Sequence, residues 1–268
     1  MLPEPTQWPA LTPTAWPWTA LLLGLVVGSF ANVCVHRLPR RRSLARPGSA
    51  CPHCGAAIRW FDNVPVLSWV LLRARCRRCG GRISARYPLV EAVNGLLYLG
   101  LALLMPPGLE AVVSMVFVTA LLVLSLIDFD WHMLPDAITL PGTALGLLAS
   151  LLPGPPGPLE SVLSAAGGYL AFALVARVAR WHYGEEALGQ GDWKLAAMLG
   201  AFLGWRSLLV TVFFACLAGA VVGLLLIAIG RGSRRTHIPL GTFLGAAGII
   251  AVFVAEPVIA WYRGLLDG

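Results

Sequence analysis

Long apolar stretches make up most of this chain and leave little sequence for a polar face. They are separated by short turns or by charged segments, as at Pro106, Pro107 and Gly108. Runs such as 109–127 and 207–229 are long enough for a helix that rises 1.5 Å per residue to cross about 30 Å of hydrocarbon. The pattern therefore predicts transmembrane helices rather than a soluble core.

The hydrophobic pattern predicts an all-α polytopic membrane protein with about eight transmembrane helices. They are expected at 15–35, 89–105, 109–127, 137–152, 159–179, 193–204, 207–229 and 240–262. A signal peptide is an alternative for the first, but it lacks a basic lead-in and many apolar segments follow it, so we expect a span. The stretch 193–204 is short for a crossing.

Composition supports this prediction, and the distribution of charged residues predicts which segments face the cytoplasm. Hydrophobic residues make up 57% of the chain and charged residues 12%, far from the balance of a soluble domain. The net charge of +7 comes largely from basic residues in three segments. They are 37–86, then Arg177, Arg180 and Lys194, then Arg231, Arg234 and Arg235. The positive-inside rule places these segments in the cytoplasm, so the charge indicates topology and we expect no nucleic-acid partner.

One polar segment, about 37–88, carries four cysteines in two CxxC motifs, Cys51 with Cys54 and Cys76 with Cys79. Two such turns, separated by a loop of this length, let four thiolates converge on one tetrahedral ion. The spacing predicts a zinc-ribbon-like structural zinc site. Two disulfides or a redox dithiol are the alternatives, and a cytoplasmic location disfavours stable disulfides. His53 lies inside the first motif, but four cysteines already fill the coordination sphere.

The few acidic residues lie at informative places. Asp128, Asp130 and Asp136 fall between the third and fourth predicted spans, and Asp192 closes a Gly189-Gln190-Gly191 turn between the fifth and sixth. The topology puts both loops at the cytoplasmic surface. An ionisable group at the hydrocarbon boundary is by default a candidate functional residue.

Asp128 and Asp192 are the candidate catalytic pair. Two carboxylates brought close share a proton, so one can act as base on a water while the other polarises a carbonyl, which is the chemistry of aspartyl proteolysis. Helix capping is the alternative for Asp192 and Asp136, and we favour it for Asp136. Lys194 either binds the substrate or the pair, or extends its ammonium group to the cytoplasm.

Several motifs in order closely resemble the type IV prepilin peptidases. They are 28–39 (GSFANVCVHRLP), the two CxxC motifs, 62–69 (DNVPVLSW), 83–91 (ISARYPLVE), 126–136 (LIDFDWHMLPD) and 186–195 (EALGQGDWKL). The resemblance covers nearly the whole chain. It implies that Asp128 and Asp192 are the catalytic residues of a GxGD aspartyl protease.

The resemblance also implies what such an enzyme acts on. The substrates would be prepilins or secretion pseudopilins, whose basic leader is cleaved after a glycine. Methylation of the new N-terminal residue by S-adenosylmethionine would follow. The spacing of residues implies none of this second activity, and the S-adenosylmethionine-binding residues stay unassigned. The expected location is the bacterial inner membrane, with the active site facing the cytoplasm.

These inferences predict three parts of the chain: a first transmembrane helix at 1–36, a cytoplasmic zinc-binding domain associated with methyl transfer at 37–88, and a transmembrane peptidase domain at 89–268. Two other functions fit paired acids in a membrane. One is a GxGD protease without methyl transfer, against which the cysteine segment argues. The other is a proton-coupled transporter, for which inverted repeats would be expected. The sequence does not reveal the particular pilins or the oligomeric state.

Overall fold

The described part of the chain is helical. The computed structural model describes residues 15–154, 156–183, 188–231 and 239–266. Its helices are α1 (Ala15–Arg37), α2 (Leu67–Leu71), α3 (Arg86–Leu104), α4 (Leu109–Trp131), α5 (Asp136–Ala149), α6 (Pro158–Tyr183), α7 (Gln190–Ala228) and α8 (Leu240–Leu266), with a 3-10 turn at Trp60–Asn63. Within these ranges, strand-like pairing is limited to two isolated bridges.

The helices confirm the predicted all-α membrane architecture. Six of them, α1, α3, α4, α6, α7 and α8, are long and apolar enough to cross a bilayer, and α5 is a shorter apolar helix of 14 residues. The predicted spans 193–204 and 207–229 correspond to two helical segments of α7, which a φ of 71° and a ψ of 171° at Gly204 separate. That backbone conformation suits glycine, and the carboxylate of Glu160 lies beside it.

The chain divides into two compact units, one ending at Thr119 and the other beginning at Ala120. In the first unit α1 packs on α3. Gly24 and Gly28 face the α3 backbone so closely that a Cβ at either would lie under 3 Å from it. The buried side chain of Asn94 donates to the Gly24 carbonyl at 2.8 Å. Glycines therefore allow the two backbones to approach.

In the second unit α7 is central, because α5, α6 and α8 each pack on it. The residues from Leu195 to Ala201, near its start, are apolar and buried. The stretch 193–204 is short for a membrane crossing, but it is surrounded by other helices. This burial explains why it is stable here. The backbones of α6 and α7 are in contact at Gly168 and Gly200, where a side chain would not fit.

Candidate functional site: four cysteines and an aspartate pair

The four predicted zinc ligands come together in the structure. The Sγ atoms of Cys51, Cys54, Cys76 and Cys79 all lie within 4.8 Å of one another, and those of Cys51 and Cys79 are 3.9 Å apart. A tetrahedral ion with Zn–S bonds of about 2.3 Å holds its sulfurs about 3.8 Å apart. The donor set and its spacing therefore fit zinc.

The two CxxC motifs have the same backbone conformation. In the first, the amide of Gly55 donates to the Cys51 carbonyl at 2.9 Å, and in the second the amide of Gly80 donates to the Cys76 carbonyl at 2.9 Å. Both glycines have positive φ, 67° and 69°, which a residue with a Cβ adopts only with strain. The isolated bridges Ala50 to Ala57 and Arg75 to Arg82 close the two turns.

The thiols titrate unequally in this cluster. Backbone amides of Cys79 and Arg78 lower the pKa of Cys76 to about 6. The Gly81 amide favours a thiolate at Cys79, but desolvation and the neighbouring sulfurs raise the pKa of Cys79 to about 11. One thiolate thus forms readily, and further ones repel it. A bound cation removes that repulsion, as expected for a metal site.

Other groups near the cysteines do not join the cluster. His53 places its Nε2 3.1 Å from the carbonyl oxygen of Arg82 instead. The carboxylate of Asp62 accepts hydrogen bonds from the guanidinium of Arg77 at 2.6 to 3.0 Å, and this contact lowers the pKa of Asp62. Cys34 and Cys216 lie outside the cluster on α1 and α7.

Asp128 lies in the last turn of α4 and is 6% exposed. Its Oδ2 accepts a hydrogen bond from the Thr242 amide at 2.7 Å, and the Thr242 hydroxyl lies 3.2 Å away. Thr242 is in the first turn of α8, where amides have no partner within the helix and the helix dipole favours a negative charge. The start of α8 therefore stabilises an ionised Asp128.

Asp192 lies in the first turn of α7 and is half-buried. Its Oδ2 accepts a hydrogen bond from the Gly189 amide at 3.2 Å, and its own amide donates to the Gly189 carbonyl at 3.1 Å. Asp128 lies 64 positions away in the sequence. Both aspartates lie beside a glycine that packs on Leu134, because Asp192 follows Gly191 and Oδ2 of Asp128 faces Gly241.

Leu134 packs against the starts of both α7 and α8. This buried side chain lies against Gly191, where an added Cβ would be 2.9 Å from its Cβ, and against Gly241, where an added Cβ would be 2.8 Å from its Cδ1. A Cβ at Gly241 would also lie 2.9 Å from Oδ2 of Asp128. Two glycines therefore leave space for the loop after α4 to pack between α7 and α8.

The preferred capping role of Asp136 is wrong. Asp136 is the first residue of α5, the N-cap position belongs to Pro135, and no side chain caps this helix. The Asp136 carboxylate instead accepts two hydrogen bonds of 2.7 Å from Nζ of Lys194. Lys194, which follows Asp192 by two residues, thus ties the start of α7 to the start of α5.

The remaining polar residues of the first loop have other contacts. His132 has a φ of 52° and its amide donates to the Asp128 carbonyl, which ends α4. Asp130 is exposed and has an interaction partner. Arg234 and Arg235, and Glu186 and Ala187 of the second motif, lie outside the described residues.

Sequence reasoning missed Thr242 and Gly241. They begin the last apolar stretch, where nothing in the hydrophobic pattern distinguishes them. A glycine followed by a hydroxyl residue at the start of a span was the available signal, because such a start leaves backbone amides open to an anion.

These features define a polytopic membrane protein with a four-cysteine metal-type site and an aspartate pair at helix ends. Two family models match the chain: the bacterial peptidase A24 N-terminal domain over residues 22–105, and the type IV leader peptidase family over residues 115–224. No solved structure matches significantly.

Curated relatives cover most of the chain. A prepilin leader peptidase/N-methyltransferase of Pseudomonas putida is 40% identical over 280 residues, covering 96% of this chain and 97% of the relative. The protein of that name from Aeromonas hydrophila is 37% identical, covering 92% and 94%. That of Myxococcus xanthus is 45% identical, covering 81% of this chain but 65% of the relative, less than two thirds. The chain belongs to the type IV leader peptidase family.

Proposed function

We propose that this chain is a prepilin leader peptidase and N-methyltransferase. It cleaves the basic leader of type IV prepilins or type II secretion pseudopilins, and then methylates the new N-terminal residue. The observation that carries the peptidase assignment is the placement of Asp128 and Asp192, each at a helix end and each beside a glycine that packs on Leu134. The names of the relatives support both activities.

The contacts of the two carboxyl groups support different roles. Oδ2 of Asp128 accepts a hydrogen bond of 2.7 Å from the Thr242 amide and faces the Thr242 hydroxyl, whereas Oδ2 of Asp192 accepts a longer bond of 3.2 Å from the Gly189 amide. Hydrogen bonds to the charged form favour it. We therefore assign the negative charge to Asp128 and the shared proton to Asp192.

Cleavage then proceeds by proton transfers between these groups and the substrate. Water attacks the scissile carbonyl carbon and gives a proton to Asp128, while Asp192 gives its proton to the carbonyl oxygen, forming a neutral gem-diol. Asp128 next gives its proton to the leaving nitrogen. Asp192 takes back a proton from a gem-diol hydroxyl as the C–N bond breaks, which restores the starting state.

The cysteine cluster serves a structural role in this proposal. Cys51, Cys54, Cys76 and Cys79 would hold one zinc ion, whose chemistry here is to fix the fold of the segment 37–88. The fit rests on the four convergent sulfurs and on the matching backbone turns. We propose that this segment is the domain associated with methyl transfer, between a first transmembrane helix at 1–36 and a peptidase domain at 89–268.

S-adenosylmethionine would supply the methyl group to the amine that cleavage exposes. One described cavity is lined mostly by aliphatic groups, together with Tyr169 and Lys194, and this lining is a poor match to a nucleoside with an amino-acid tail. We therefore assign no residues to this cofactor and derive no step through it.

We further propose that the protein lies in the bacterial inner membrane with its aspartate pair facing the cytoplasm. The support is the distribution of basic residues, above all the twelve arginines from Arg37 to Arg86, and the positive-inside rule. The bilayer is then the permanent partner of the chain, and the pilin-type proteins are its substrates.

The test is leader removal from a purified prepilin by the reconstituted protein, scored as a loss of mass. Asp128→Asn and Asp192→Asn should each reduce kcat by roughly 10⁴-fold, because residues that act as a unit fail together. The double variant should be no worse than either single one. Asp130→Asn is the matched control, since it changes an exposed carboxylate two residues from Asp128 and should leave cleavage intact.

Zinc content and thermal melting should be unchanged in both inactive variants, since asparagine preserves shape and polarity. Substantial cleavage by a folded Asp128→Asn or Asp192→Asn protein would remove the proposed mechanism. Cleavage without transfer of a labelled methyl group would remove only the second activity.

A further inference from the structure

The segment between α1 and α3 has a group of large apolar side chains that are exposed. Trp60 is 83% exposed, Leu71 72%, Val70 57% and Leu67 54%. These four residues, on the 3-10 turn and on the adjacent helix α2, are called the interfacial surface below. Exposed apolar groups of this size normally mark a place where a partner or a membrane binds.

Contacts with α1 and α3 fix the depth of this surface. The amide of Val66, directly before α2, donates to the carboxylate of Glu91 at 2.7 Å. Glu91 is five residues into α3, or about 7.5 Å along the helix from Arg86. The start of α2 therefore lies beside the end of a membrane span rather than far out in solution.

The lipid-facing side of α3 continues next to that position. Leu89 is 63% exposed although it lies within a candidate membrane span, as expected for a side chain that faces acyl chains. The side chain of Asn32 on α1 donates to the carbonyl of Tyr87, so α1 and α3 meet the segment at the same end. The exposed residues of α2 thus lie at the level of the membrane boundary.

The charge around the interfacial surface selects an anionic partner. Residues 37–86 contain twelve arginines and one acidic residue, Asp62, and Asp62 is already paired with Arg77. Arg59, Arg73 and Arg75 are exposed and flank the apolar group in sequence. The basic prepilin leader of the proposed function would be repelled here, whereas anionic lipid headgroups would be attracted.

We propose that the interfacial surface docks onto the anionic headgroup region of the same bilayer that the helices span. Trp60 and the apolar side of α2 lie at the boundary between headgroups and acyl chains, and the flanking arginines contact lipid phosphates. The docked surface holds the cysteine segment against the membrane. Only the exclusion of the leader rests on the proposed function.

The test uses the full-length protein in nanodiscs made of phosphatidylcholine brominated near the top of the acyl chain, with or without phosphatidylglycerol. Bromine quenches nearby tryptophan fluorescence, and the Trp60 contribution is the difference between the parent and Trp60→Phe. The control difference is Trp69→Phe, because Trp69 is half-buried and its indole donates to the Ile83 carbonyl at 3.1 Å.

The Trp60 signal should be quenched by bromine more than the Trp69 signal, and more strongly when phosphatidylglycerol is present. Leu71→Glu should reduce this quenching. Arg59→Gln should lower the ratio of docked to undocked protein about fivefold on anionic membranes and little on neutral ones. Acrylamide is a quencher that stays in the aqueous phase. It should quench Trp60 less in nanodiscs than in detergent solution.

Two results would overturn the proposal. One is a Trp60 signal that acrylamide quenches in nanodiscs and bromine does not. The other is protection of Trp60 only after a prepilin is added, which would make this a substrate-docking surface. Leader cleavage, measured on the same samples, is a separate readout, so active protein with an undocked Trp60 would refute the docking alone.

Discussion

Replacing Gly241 with alanine should damage catalysis through Asp128. Gly241 is buried in the first turn of α8, directly before Thr242. An added Cβ would lie 2.9 Å from Oδ2 and 3.0 Å from Cγ of Asp128, and 2.8 Å from Cδ1 of Leu134. Ordinary contacts of this kind begin at 3.4 Å, so the carboxylate must move by about 0.5 Å.

The size of the effect follows from that displacement. A misplacement of about 1 Å in a catalytic group can reduce the rate 10²-fold, so a shift of about half that should reduce kcat roughly tenfold. Crowding a packed site also destabilises a protein by about 1–3 kcal/mol. Helix propensity alone predicts the opposite sign, because alanine is favoured over glycine by about 1 kcal/mol within a helix.

The assay is single-turnover leader cleavage by Gly241→Ala, with the melting temperature measured in the same detergent. Gly264→Ala is the matched control, since it makes the same substitution in the same helix at an exposed position with nothing within 4 Å of the added Cβ. It should keep full activity and parental or slightly higher stability. Full activity and unchanged melting in Gly241→Ala would show that the space beside Asp128 is not restricted.

The other two predictions concern the metal site and the ion pair. Elemental analysis should find about one zinc ion per chain, and serine in place of any one of Cys51, Cys54, Cys76 and Cys79 should sharply reduce that content. The control Cys216→Ser should leave it unchanged. Undiminished zinc in a Cys51 and Cys76 double variant would contradict the site. Lys194→Met and Asp136→Asn should each destabilise the protein by less than about 1 kcal/mol, because the ion pair is partly exposed. A double-mutant cycle measured by thermal melting should show a coupling energy of about 0.2–1 kcal/mol. Additive effects would show that the ion pair contributes nothing to stability.

The helices were predictable from the sequence because a segment that lies in lipid must be apolar over its whole length. Long apolar runs determine helices almost alone, because a bilayer leaves backbone groups few other ways to form hydrogen bonds. The predicted span at 109–127 therefore appears within α4. The boundary between the predicted spans 193–204 and 207–229 likewise coincides with the interruption of α7 at Gly204, although hydrophobicity carries no information on the φ of 71° found there.

The cysteine cluster was predictable for a different reason, because each CxxC motif is local and its ligand geometry depends on a few consecutive residues. The contacts around the aspartates are not local. Thr242 lies 114 positions from Asp128, and Lys194 lies 58 positions from Asp136. One sequence without its relatives shows which residues could ionise but not which distant donor reaches them.

Asp136 lies after a proline and before a helix, and for that reason it was expected to cap α5. The local preference for capping was visible in the sequence, but the ammonium group with which Asp136 pairs was not. A charged residue at a helix start therefore has two competing partners, its own backbone amides and any cation that the fold brings near, and only the packing of α5 on α7 decides between them.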